Sequence, residues 1–215
     1  MYEFVSGPLV WVGFLGLFVG SAYKLSRMFR EAHREKSVIP TWDARSGMRS
    51  VAHWVVPFGS RNMRLHPVMT IVSFAFHFCL LLTPLFIMGH AVLWEGSWGV
   101  SWWSMPAWLA DVMTLVVIAG GVFFFLRRLT APEVRRVSAL TDFLLVLLVI
   151  SPFVTGFLAH QQWLPYRPTL ILHIVCGVLW LVAIPFTRLS HMLYFFFSRS
   201  YMGSEFGAVR NARDW

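Results

Sequence analysis

Five long apolar stretches constrain this chain more than anything else in it, at about residues 8–27, 67–92, 108–126, 140–160 and 169–197. A hydrocarbon core of about 30 Å takes about 20 helical residues to cross, and each backbone N–H and C=O inside it must find a partner within the protein. The expectation is a single all-α transmembrane domain over residues 1–215 with five membrane-spanning helices. Composition fits a chain that crosses repeatedly: 57% of residues are hydrophobic, and the 13% that are charged gather in short stretches between the apolar runs.

The basic residues set the expected topology. Nine Lys or Arg lie between Lys24 and Arg64, four between residues 127 and 139, and four from Arg188 onward, leaving only Arg167 for the opposite side. By the positive-inside rule the N-terminus then faces the periplasm or cell exterior and the C-terminus the cytoplasm, as in a multi-pass protein of the bacterial inner membrane. The net charge of +8 has this topological explanation, and no nucleic-acid motif accompanies it. The segment between the first two spans, with Arg45, Arg49, Arg61 and Arg64, reads as a membrane-surface loop rather than a domain, with Trp54 at the interface. The outer loop from Leu93 to Ala107 carries Trp94, Trp98, Trp102 and Trp103 and reads as an interfacial aromatic belt. Cys79 and Cys176 lie inside apolar runs without a CxxC partner and read as small buried apolar residues. Met1 to Pro8 lacks the basic n-region of a secretory signal, and the apolar run is followed by basic residues rather than a cleavage site, so the first span is expected to be retained.

Histidines carry the chemistry. His77, His90, His173 and His191 fall within or at the ends of the second and fifth spans, where an unpartnered imidazole is costly. Any one of them alone reads equally well as a hydrogen bond between helices. Because these two spans run in opposite directions, the four form two pairs by depth: His77 with His191 in the cytoplasmic half, and His90 with His173 in the outer half. Two imidazoles at one depth are the axial ligands of a b-type haem, and two haems at different depths give electrons a route across the bilayer. The 18 residues from His173 to His191 make five whole turns, placing both on one helix face. His77 and His90 are 13 apart with Pro84 between, so a kink or bulge is needed to align them. Gly177, one turn after His173, leaves room for a flat macrocycle, and Gly120 and Gly121 allow close helix approach; ordinary small-residue packing explains them equally. His66, 11 residues before His77, is a rival ligand for His77 or His90. His33 and His53 in the basic segment read as solvated or headgroup-facing.

At the outer end of the fourth span, His160, Gln161, Tyr166 and Asp111 with the loop tryptophans supply a proton acceptor and an apolar slot, which the oxidation of a quinol such as menaquinol requires. Hydrogen bonding at a helix end accounts for the same residues.

Two stretches carry a family resemblance. Leu172-His173 to Gly177 leading to Pro185-Phe186-Thr187-Arg188-Leu189-Ser190-His191, and Ala119-Gly120-Gly121 to Arg127-Arg128-Leu129 with Pro132, Arg135 and Asp142, resemble the fifth helix and the third and fourth helices of the gamma subunit of respiratory nitrate reductase, a five-helix di-haem cytochrome b. The pattern His66-Pro67, His77, Pro84-Leu-Phe, His90 and Ser101-Trp-Trp is still more similar to the nitrate-reductase-gamma-like cytochrome b subunits of sulfate-reducer transmembrane redox complexes. The resemblance implies haem ligation by His77 with His191 and by His90 with His173. It also implies a cytoplasmic iron-sulfur partner, resembling either heterodisulfide reductase or the nitrate reductase beta subunit, and exchange with menaquinone or a periplasmic multihaem cytochrome c. The chain departs from the nitrate reductase pattern in about three extra residues between His77 and His90, and in an outer loop without lysine.

The expectation is therefore a respiratory electron-transfer subunit with two haem b groups, whose partners act on the final substrate. A haem-free anchor and a quinone-independent conduit are the alternatives. Arg127, Arg128, Arg135, Arg136 and the tail from Arg199 to Trp215 form the expected docking face for the iron-sulfur subunit, with lipid headgroups as the other occupant.

Overall fold

The structure, a computed structural model, describes residues 2–34 and 42–214, with the side chains of residues 32 and 33 outside that description. The His33 side chain and Trp215, named above, therefore lie outside it. All regular structure among the described residues is helical. A short α1 (Tyr2–Ser6) leads into α2 (Pro8–Arg34), followed by α3 (Ala44–Val55), α4 (Arg61–Leu65), α5 (Pro67–Phe86) and α6 (Met88–Trp98). Then come α7 (Ala107–Thr130), α8 (Pro132–Arg135), α9 (Leu140–Gln161), α10 (Tyr166–Phe186) and α11 (His191–Ser204). Five of these stretches are long and apolar enough to cross a membrane: Tyr2–Glu31, Pro67–Phe86, Ala107–Thr130, Leu140–Gln161 and Tyr166–Phe186. Large apolar side chains cover their outer faces, among them Phe18 at 65% exposure, Phe78 at 62% and Leu179 at 55%. Such surfaces are expensive in water and ordinary against lipid. The chain is an all-α protein with the character of a multi-pass membrane protein.

Two of the expected spans are broken. The run 67–92 is α5 and α6, separated at Ile87, whose φ of −70° and ψ of 134° are extended. Pro84 lies three residues upstream; it has no N–H to continue the ladder and disturbs the turn it enters. The run 169–197 ends as α10 at Phe186, just after Pro185, and restarts through a 3-10 turn at Arg188–Ser190. Thr187 caps that turn by accepting the Leu189 N–H at 3.2 Å. The five-turn arithmetic for His173 and His191 assumed one straight helix, so it does not apply.

By its contacts the chain divides into two compact units: Met1–Ser6 with Val72–Gly177, and Gly7–Ile71 with Val178–Trp215. In the first, α7 and α9 form a tight pair. A Cβ on Gly121 would strike Ile150, so only a residue without a side chain lets these backbones approach so closely. Asp142, 2% exposed, ties the start of α9 by accepting the Ala139 N–H at 2.9 Å, with Arg128 4.0 Å away.

In the second unit, Gly13, Gly16 and Gly20 of α2 face Val178, Val182 and Pro185 of α10. The basic segment expected as a loop contains α3 and α4. Asp43 accepts the Ser46 N–H at 2.8 Å and caps α3, and α3 lies on α11 through Gly47 against Ser200 and Gly203 against Ser50. Trp54 is covered by the Arg199 guanidinium, 3.7 Å from the ring centre.

Candidate functional site

The break between α5 and α6 exposes the last carbonyls of α5, and each is satisfied individually. The Thr83 carbonyl takes the Ile87 N–H at 3.0 Å. The Pro84 carbonyl takes His90 Nδ1 at 2.8 Å, the Leu85 carbonyl takes the Trp102 indole N–H at 2.8 Å, and the Phe86 carbonyl takes the Met105 N–H at 2.8 Å. A carbonyl can only accept, so the His90 proton sits on Nδ1 and the lone pair on Nε2. In apolar surroundings these bonds are obligatory, and they fix where His90 stands relative to the helix below it.

His173, on α10 in the same unit, is oriented in the same way from a different helix. Its Nδ1 donates to the Pro152 carbonyl of α9 at 2.8 Å. Pro152 has no N–H for the Leu148 carbonyl, which the Ser151 hydroxyl takes instead at 2.9 Å. One turn on, Gly156 presents bare backbone to the His173 ring. The rings of His90 and His173 come to 6.0 Å between centres, inclined by 27°. Gly177, one turn beyond His173, has no atom within 4 Å of where a Cβ would stand, and neither has Gly89 beside His90.

The other two candidate ligands belong to different units. His77 is exposed on α5, with Nδ1 2.7 Å from the Ser73 carbonyl and its ring edge-on to Phe76 at 5.4 Å. A Cβ on Gly120 of α7 would come 2.8 Å from that Phe76 ring. His191 is exposed at the start of α11, with Nδ1 3.0 Å from the Arg188 carbonyl. All four histidines thus hold the Nδ1 proton on a main-chain oxygen, the arrangement that orients a metal-ligating imidazole. His53 makes the same bond to Arg49 within α3, at 2.7 Å, so this bond alone does not mark a ligand. His66 ends α4, and its role in the described contacts is a main-chain one: its carbonyl takes the Thr70 N–H and hydroxyl, both at 3.0 Å. Among the described residues no group of three or more His, Cys, Asp or Glu converges.

At the C-terminal end of α9, Gln161 donates to Asp111 Oδ2 of α7 at 2.9 Å, and His160 Nε2 lies 3.8 Å from Asp111 Oδ1. Three of the four residues read as a quinol site meet there; Tyr166 stands exposed at the first position of α10. Met105, Pro152 and Gly156 were not singled out in the sequence as parts of a site, and Trp102 was read only with the other loop tryptophans beside a quinol. The prolines at 84 and 152 were the available signal, since each creates carbonyls or gaps that some other group must serve.

No family model matches the sequence. A protein of Nitratidesulfovibrio vulgaris is 35% identical over 218 aligned positions, which cover 98% of this chain and 95% of that protein. Identity at that level along nearly the whole of both chains places them together, and this chain belongs to the family of that Nitratidesulfovibrio vulgaris protein.

Proposed function

We propose that this chain is a di-haem cytochrome b of the nitrate-reductase-gamma-like kind, the inner-membrane subunit of a respiratory oxidoreductase complex. It carries electrons between menaquinol or a periplasmic multihaem cytochrome c and a cytoplasmic iron-sulfur subunit. The N-terminus lies outside and the C-terminus in the cytoplasm, as the basic residues require.

The observation that carries this reading is the His90–His173 pair. If both imidazoles held one metal ion through nitrogen at about 2.0 Å, their ring centres would stand on the order of 6 Å apart; the separation here is 6.0 Å. Both Nδ1 protons are committed to carbonyls, which leaves each Nε2 as the donor and raises its basicity. The open faces at Gly89 and Gly177 provide the space a porphyrin edge needs. The residues therefore fit the group. When bound, a bis-histidine haem supplies an iron that changes oxidation state with no coordination position left for substrate. The chain's own part is to hold the two rings at fixed tilt, keep water from them, and set their basicity through Pro84 and Pro152. The resemblance supports a second haem on His77 and His191, and both rings carry the proton on Nδ1 as ligation through Nε2 requires.

A specific observation favours menaquinol as donor. Asp111, held by Gln161 and approached by His160, puts a carboxylate and an imidazole at the outer end of α9, one turn beyond the Gly156 that touches His173. Such a pair accepts protons from a quinol while its electrons leave inward. Docking of the iron-sulfur subunit falls to Arg127, Arg128, Arg135, Arg136 and the basic tail.

Pyridine haemochrome assay of the purified complex tests the proposal. About two b-type haems per chain are expected; an intact complex without haem leaves the haem-free anchor as the function.

A further inference from the structure

We infer that Trp102 is a positioning residue for the outer haem, acting through the broken helix on the orientation of His90. This rests on the di-haem reading above and adds to it a residue that ligates nothing.

Between Pro84 and Ile87 the helical ladder stops, and three consecutive carbonyls are taken by groups outside α5: His90 Nδ1 on Pro84, Trp102 Nε1 on Leu85 and the Met105 N–H on Phe86, each at 2.8 Å. Successive peptide planes share Cα atoms, so the direction of the Leu85 carbonyl constrains that of Pro84. The Pro84 carbonyl is the acceptor that sets the His90 ring. Two of the three donors come from the outer loop, and Trp102 is the one whose bond is made by a side chain and is therefore open to substitution.

Trp102 lies within an aromatic cluster. Trp94, one turn after His90, stands 5.9 Å from the Trp102 ring and 4.4 Å from Trp98. The next loop residue, Trp103, is a natural control. It lies against Phe86 at 6.0 Å and is 66% exposed, and its contact is a ring contact rather than a bond to the break.

Without the indole donor, the Leu85 carbonyl loses its partner in a region poor in water and the break relaxes to satisfy it. The Pro84 carbonyl turns with it, and the Nδ1–H bond of His90 lengthens. A weaker bond makes the imidazole a poorer donor, which favours ferrous over ferric iron and raises the reduction potential. The inner haem is unaffected.

The experiment is a redox titration with low-temperature EPR on the intact complex, comparing wild type, Trp102→Phe, Trp102→Gln and Trp103→Phe. The outer component is identified as the one missing from His173→Ala. Trp102→Phe is expected to raise the outer potential and shift its low-spin signal with the inner haem unchanged. Trp102→Gln keeps an N–H of similar reach and is expected to restore both, and Trp103→Phe to alter neither. An unchanged or lowered outer potential in Trp102→Phe overturns the inference while leaving two haems in place, as does an equal shift in Trp103→Phe. If Trp102→Phe fails to assemble, Trp102→Gln decides: a wild-type spectrum upholds the role of the N–H, and failure like that of Phe overturns it. A wild-type complex without haem overturns the di-haem reading itself, and this inference with it.

Discussion

Gly156 lies directly beneath the His173 imidazole: a Cβ at position 156 would stand 2.9 Å from the ring Cε1 and 3.0 Å from Nδ1. The ring has no free direction of retreat, because the same Nδ1 is bonded to the Pro152 carbonyl one turn back on the same helix. α9 therefore both holds this ring and shapes the space it occupies.

Gly156→Ala should displace the ring and break that bond, with an overpacking cost of about 1–3 kcal/mol. The expected outcome is loss of the outer haem from most of the protein, read as a fall from two haems to one. A variant with both haems and unaltered spectra would show that the Gly156–His173 contact does not matter to cofactor binding.

Asp111 is held by Gln161 and faced by His160. Replacing it with Asn keeps the volume and removes the proton acceptor. Haem reduction by a menaquinol analogue should slow by about 100-fold or more, the usual contribution of a general base. Reduction by dithionite should be unchanged. Equal menaquinol rates in Asp111→Asn and wild type would move quinol oxidation elsewhere or favour a periplasmic cytochrome as donor.

The five spans were legible in the sequence because length and hydropathy alone decide them, and a run such as 108–126 needed no further information. His90 and His173 come together as their depth pairing in the sequence expected, imidazoles being costly in such runs without a partner. The breaks at Ile87 and Thr187 were not legible, since a proline in an apolar stretch reads equally as a kink, and what settles the matter is which groups serve the stranded carbonyls. Trp102 acts on a carbonyl 17 residues away, beyond any local pattern, so it read only as one tryptophan of an interfacial belt or of a quinol slot. α3 was hidden by its Arg and Ser content, although Asp43 stood ready as its cap and Gly47 as its contact with α11.

Asp142 is 2% exposed and caps α9 through the Ala139 N–H. Asp142→Ala removes the cap and leaves Arg128 without this partner, so a destabilisation of about 1–2 kcal/mol is expected. The measurement is the thermal midpoint of the detergent-solubilised protein. An unchanged midpoint would mean that the bond contributes nothing to the α7–α9 pair.

Asp43 caps α3 outside the membrane-spanning segments. The Ser46 hydroxyl, and after it the Ser46 amide, hold its carboxyl below the usual aspartate range. A depressed carboxylate contributes stability that is fully present above the unfolded value of roughly 3.9 and is lost as pH falls through the lower folded value. Amide exchange in α3 should therefore accelerate on acidification through that window, and Asp43→Ala should remove the acid dependence. Identical acid profiles in the variant and wild type would detach the effect from Asp43.

The central claim is that His90 and His173 meet across iron. An electron-microscopy map of the assembled complex tests it most directly: the account predicts planar porphyrin density between these two rings, with both Nε2 atoms directed at its centre. A map in which the two rings face each other with only protein or water between them would contradict it.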